Sequence, residues 1–138
     1  MRRVTIAAAA AVLWVAVPGQ GGRAMVGDNR PEVSFEKEIY PIIKKHCLPC
    51  HAEDNFNPSG LALDTYESLL AGGENGKPVE PGNGAESILV KKLGPNPPFG
   101  KMMPVDKKKK AAGQAPKRLS EEEIRLIVEW IDQGAKNN

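Results

Sequence analysis

Apolar residues recur at helical spacing near both ends of this 138-residue chain, and no stretch alternates convincingly as a β-strand would. The first periodic element is "SFEKEIYPIIKKHCLPCH", in which Phe35, Ile39, Ile42, Ile43 and His46 fall on one face. Ser34 suits the N-cap, and Glu36 and Glu38 suit the positive end of the helix. Pro41 lacks an amide hydrogen, so a kink or two short helices is expected there. The last element, "LSEEEIRLIVEWIDQGA", is the clearest. Ser120 and Glu123 form a capping box, Leu119 and Ile124 a hydrophobic staple, and Gly134 is the stop signal. Its apolar face comprises Ile124, Ile127, Val128 and Ile131, with Trp130 flanking it.

Between these two helices the pattern is mostly loop. "DTYESLLAG" predicts a short helix capped by Asp64 or Thr65, and "AESILVKKL" another that ends at Gly94. "GPNPPFGKMMP" is an extended, stiff loop, and "DKKKKAAGQAPKR" has no apolar period. The fold class expected is all-α, with a few short helices set in long loops.

The N-terminus departs from this pattern. Arg2 and Arg3 precede the apolar run Val4–Val17, and "PGQGGRA" follows, which together read as an export signal over residues 1–24. Fourteen apolar residues are too few for a comfortable span, which takes ~20, and an uncleaved membrane anchor is the competing reading. Residues 25–33 read as a flexible lead-in and 34–138 as one domain. Loss of Arg2, Arg3 and Arg23, with no acid, takes the net charge from +2 to −1. The basic residues concentrate in 101–118, where seven cations face Asp106 alone. Aromatic residues are only 5% of the chain, while Gly and Pro number 14 and 12. A core that modest gains from an added metal, disulfide or cofactor.

All cysteine and histidine in the chain lies within "KKHCLPCHAED". A disulfide between Cys47 and Cys50 would close a tiny loop and staple nothing distant. Cys47, Cys50 and His51 form C-x-x-C-H, and residues i, i+3 and i+4 of a helical turn share one face. Two sulfurs so placed can reach the two vinyl groups on one porphyrin edge, with the adjacent imidazole aimed at the iron. This is the attachment signature of haem c. A redox dithiol would expect a βαβ context, and zinc would need four less contiguous donors. His46 adjoins Cys47 on the same segment and is expected to be a bystander. Downstream of His51 the soft donors are Met102 and Met103, one of which would bind iron while the other packs.

Further segments extend the signature into an ordered set: Phe35 to Ile43, "SGLALD" at 59–64, "GGENG" at 72–76, "PGNGAES" at 81–87, Met103-Pro104, and Leu119 to Ala135. With these the chain resembles class I-type cytochromes c, and in particular the planctomycete-type cytochrome c domain, over residues 33–135. The resemblance implies a small cytochrome c-like fold around one covalent haem c. It implies His51 as proximal ligand and favours Met103 over Met102 as distal ligand, because the family places the ligand directly before proline. It also implies that the first and last helices cross near the haem edge, with Phe35 and Trp130 in that contact. Ser59 stands where a second Gly is usual, Val105 where a Pro often follows, and the lysine-rich segment lengthens the last loop. Gly72, Gly73 and Gly76 are expected to be turn formers and Asp64 a helix cap.

The function expected is an exported, periplasmic one-electron carrier rather than an enzyme, with redox partner proteins that dock at Lys107–Lys110 if that run is more than a solvated loop. A haem enzyme or sensor with an open sixth position and a haem-free exported dithiol protein are the alternatives. No nucleic-acid partner is implied, and a membrane only if the signal is retained.

Overall fold

The computed structural model describes residues 30–48, 50–105 and 118–138. The signal run and Lys107–Lys110 lie outside these residues. Among the described residues there are four α-helices: α1 (Tyr40–His46), α2 (Tyr66–Ala71), α3 (Ile88–Leu93) and α4 (Glu121–Asp132). Among the same described residues no strand is formed; two glycines, Gly73 and Gly76, make an isolated bridge. The all-α expectation is met. No described helix is long and apolar enough to cross a membrane.

The first element breaks in two, as Pro41 requires. Phe35–Ile39 is a widened, π-type turn in which Ser34 Oγ accepts the Lys37 amide and the Tyr40 amide reaches back to the Phe35 carbonyl. α1 then starts with Pro41 in its first turn. A proline ring presses on the carbonyl four residues earlier, and the wider turn relieves that pressure at the cost of regular register.

Phe35 is the hub of the core. Its ring lies 5.4 Å from Trp130, 5.2 Å edge-on from Tyr66 and 6.0 Å from Tyr40. Such pairs each add ~0.5–1.5 kcal/mol beyond the area they bury. Ile39, Ile43, Leu69, Val79, Ile127 and Ile131 complete the core. Trp130 is 1% exposed. It therefore sits at the centre of the α4 face, not on its flank, and Val128 is only half-buried. The polar tips of Trp130 and the half-buried Tyr66 are satisfied, Trp130 Nε1 donating to the Lys136 carbonyl and Tyr66 Oη to the Ala135 carbonyl.

The two ends of the described domain are joined by hydrogen bonds. The amides of Phe35 and Glu36, unpaired by any helical bond, donate to Asn138 Oδ1 and the Asn138 carbonyl. The Val33 amide donates to Gln133 Oε1, and Gln133 Nε2 to the Pro31 carbonyl. Residues 31–33 are thus docked rather than a flexible lead-in, because Val33 is buried and its backbone is paired across the chain.

Most end signals are found where the sequence puts them. Ser120 and Glu123 form the capping box of α4, and Leu119 is buried. At its other end the Gly134 amide donates to Ile131 and the Ala135 amide to Trp130, with Gly134 at φ +101°, a Schellman ending. α3 ends at Gly94 as expected. In α2 the cap is Thr65, paired with Ser68, and not Asp64, whose Oδ1 is buried without a hydrogen-bond partner.

Two contacts set how α4 meets its neighbours. The loop "PGNGAES" lies on its last turn, the Gly82 amide donating to Ile131 and the Gly84 amide to Asp132 Oδ1, both at 2.7 Å. A Cβ on Gly84 would come within 2.9 Å of the Val128 carbonyl and of Asp132 Oδ1. At the other end, Glu123 Oε1 accepts from Lys45 Nζ at 2.8 Å and lies 3.2 Å from His46 Nε2, tying α1 to the start of α4. Lys45, then the Ser120 amide, and more weakly His46, hold the Glu123 carboxyl down at about 2.

Two predictions follow from these contacts. Gly84→Ala should lower unfolding free energy by about 1–3 kcal/mol in urea titration, the usual cost of overpacking against backbone. Gly94→Ala, whose added methyl meets nothing nearer than 3.6 Å, should change it by less than about 0.5 kcal/mol. The Glu123 carboxyl is depressed in the fold, so its stabilisation is present above its ordinary value of 4.5 and disappears as pH falls toward about 2. Glu123→Gln should therefore cost ~1 kcal/mol at pH 6, the scale of a helix cap. The gap between variant and wild type should close on acid titration; a gap constant from pH 6 to pH 2 would refute the assignment.

Candidate functional site

α1 does not stop cleanly at His46. The Cys47 amide still bonds the Ile43 carbonyl at 2.8 Å, and the next turn closes through the Cys50 and His51 amides, both donating to the Cys47 carbonyl at 3.0 and 2.9 Å. This turn brings Cys47, Cys50 and His51 to one side, and all three line one cavity of about 610 Å³. Cofactor pockets typically span roughly 300–1,000 Å³.

His51 is held by "SGLALD" from both its ring and its backbone. Its Nδ1 lies 3.0 Å from the Leu61 carbonyl, and its own carbonyl accepts the Leu63 amide at 2.8 Å. A carbonyl can only accept, so the ring hydrogen sits on Nδ1 and Nε2 carries the lone pair. That is the tautomer and the second-sphere contact of a metal-binding imidazole. The Asn57 amide donates in turn to the Cys50 carbonyl at 2.9 Å, fixing the far side of the turn.

The walls are mainly apolar, with Leu61, Leu63, Pro78, Leu89 and Leu93 among them. Met103 also lines the cavity, and its amide donates to the Lys92 carbonyl at 2.7 Å. Met102 is not among the lining residues. Phe56, Phe99 and Val105 line it as well and are, among the described residues, the large apolar side chains most open to solvent. Gly73 and Gly76 are turn formers as expected, and both face the cavity too. No side chain fits at Gly73, where a Cβ would meet the Ser59 carbonyl at 2.5 Å. Ser59 itself is at φ +63°, a conformation that favours the glycine usual at that position.

The donor set suits a covalently attached haem. Two unbridged thiols, an imidazole with its lone pair on Nε2 and a thioether share one largely apolar cavity. It suits a redox dithiol poorly. Burial, with Cys50 beside it, pushes the Cys47 thiol up to about 12, whereas a reactive dithiol needs a lowered value. Among the described residues no three His, Cys, Asp or Glu side chains converge as a metal-ion site.

The surroundings of His46, Phe35 and Trp130 add detail to what was expected of them. His46, read as a bystander on the helix face, is buried against Glu123 and contributes to the cavity wall beside Cys47. Phe35 and Trp130 do make the helix crossing, but neither ring lines the cavity. Sequence reasoning missed two groups. The Leu61 carbonyl is a backbone atom and leaves no residue-type signal. Lys92 is a buried cation on the cavity wall, detectable only because helical spacing puts it on the face of Leu89 and Ile88.

Comparison with known proteins agrees with this chemistry. Residues 47–106, from the first cysteine through the methionine loop, match the family model of planctomycete cytochrome C. The chain is also similar to hydrazine synthase subunit alpha of Kuenenia stuttgartiensis, 30% identical over 132 aligned residues. That alignment takes in 79% of this chain and 16% of the subunit, so the chain spans about a sixth of that relative's length. No solved structure matches. It is through residues 47–106, which carry the Cys47–His51 turn, the His51 bracket and Met103, that the chain is similar to planctomycete cytochrome C.

Proposed function

We propose that the protein is an exported c-type cytochrome that carries single electrons, with Cys47 and Cys50 as thioether tethers and His51 and Met103 as iron ligands. The observation that carries this reading is the sharing of one cavity by the attachment turn and Met103, with His51 held in the ligating tautomer. Haem c, when bound, supplies an iron that takes up and releases one electron. The protein's contributions are positional. The turn from Cys47 to His51 presents both sulfurs and the imidazole together. The Leu61 carbonyl orients the ring and makes it a better donor. The apolar walls keep water from the site, which favours the less charged state of the centre. A thioether from Met103 acts in the same direction by preferring ferrous iron. Export of the chain follows from the signal read at residues 1–24, since haem c is attached outside the cytoplasm. Lys107–Lys110 would offer an acidic redox partner a steering surface.

A second reading is favoured by one specific observation, the relation to a fragment of an enzyme subunit. In it the domain serves as a haem centre within a catalytic assembly, and the sixth position opens to a small ligand.

Absorption spectroscopy of the protein matured in an exporting host tests both readings. The expected result is a low-spin haem c spectrum with a methionine–iron band that is lost in Met103→Ala and retained in Met102→Ala. A high-spin wild-type spectrum would favour the open-site reading, and a chain without covalent haem would end both. The mass of the exported protein should correspond to removal of residues 1–24.

A further inference from the structure

α3 carries two adjacent lysines that behave differently. Lys91 faces solvent and pairs with Glu86 at 2.6 Å. Lys92 is 9% exposed and on the cavity wall, and among the described residues no carboxylate lies within ion-pairing distance of it. Among the described residues its ammonium meets Phe99 in two ways. Nζ donates to the Phe99 carbonyl at 2.6 Å and stands 4.6 Å over the Phe99 ring centroid. Its backbone carbonyl accepts the Met103 amide at 2.7 Å.

A single residue of a rigid helix thus holds both ends of the segment Phe99–Met103. That segment sits in a loop, "GPNPPFGKMMP", with no regular structure of its own. Burying an ammonium without a counter-charge is costly, and long, mobile lysines rarely stay buried unless paired. Desolvation lowers the affinity of this lysine for its proton, which is the cost of the arrangement. A fold that retains it gains something other than stability from it.

We propose that Lys92 is the positioning residue of the haem site: its side chain and carbonyl set the Met103 loop, and its positive charge at the cavity wall favours the reduced centre. This rests on the assignment of Met103 as the sixth ligand. The electrostatic reasoning is direct. Ferric haem carries one more positive charge than ferrous haem, and a buried cation nearby disfavours it more strongly in a poorly screening interior. Phe99 contributes as well, because its carbonyl dipole and ring face stabilise the ammonium in place.

The test uses the haem-loaded full chain and three variants. Lys92→Met keeps the stem and removes both donor and charge. It is expected to retain covalent haem, to weaken the methionine–iron band, and to raise the ferric-to-ferrous ratio at fixed poise at least tenfold, equivalent to a midpoint lower by about 59 mV. Its urea midpoint should hold or rise, since a buried lone charge is replaced by an apolar chain, and a merely structural role would lower it. Lys92→Arg should restore the band and most of the potential. Lys92→Gln keeps a donor without the charge and should lose the potential shift more than the band. A ratio within threefold of wild type together with an intact band in Lys92→Met would overturn the proposal. Should that variant fail to mature, an unchanged potential in Lys92→Gln would do the same. Failure of the ligand assignment is seen separately, as a band that survives Met103→Ala in the wild-type background.

Discussion

The packing of Phe35 against Trp130 is the contact on which the rest of this structure depends. It joins the first turn of the domain to the last helix, elements separated by most of the chain, and draws Tyr40 and Tyr66 into the same cluster. Truncating a buried aromatic of this size typically costs ~3–5 kcal/mol. With so few aromatic residues available, the core has no comparable second centre. The hydrogen bonds of Asn138 and Gln133 to residues 33–36 close the same seam with backbone groups that would otherwise be buried unpaired.

The functional cavity lies beside that core and is made by the loops. α1 enters it from the seam, held in pitch by Glu123, and extends as the turn that carries Cys47, Cys50 and His51. "SGLALD" returns to bracket His51, and the two-glycine bridge at 73 and 76 lines the same cavity. α3 supplies the opposite support, with the methionine loop attached through Lys92. The packed helices are thus a frame, and irregular segments supply most of the lining. This division suits a site whose donor side chains must be held rigidly while loops enclose a large, mostly apolar volume.

Burial has opposite chemical effects around this cavity. It suppresses the thiolate character of Cys47, which leaves the pair poor for disulfide chemistry, while it strengthens the influence of any charge that is retained. Lys92 is such a charge, and it lies on the same cavity wall as Met103. At the exposed face of α1, by contrast, the Lys45–Glu123 pair is a mechanical tie between helices, screened by solvent.

Local signals were decisive wherever neighbouring residues satisfy one another. Ser120 and Glu123 cap their own helix, Gly134 ends it, Pro41 splits the first element, and C-x-x-C-H sits on a turn that needs only its own amides. These were legible because the partners lie within a few residues of each other. Three features were not. Trp130 took the centre of the core because Phe35 lies opposite it, which no helical period reveals. Asp64 lost the cap to Thr65 because Ser68 completes a reciprocal pair with threonine. Residues 31–33 were ordered by a glutamine about a hundred positions away. The chain's residue order alone therefore determined the class of fold and the chemistry of the attachment turn. Which methionine shares the cavity, what orients His51 and which lysine is buried beside them were decided by tertiary packing, because each depends on backbone carbonyls and distant side chains that meet only once the loops have closed.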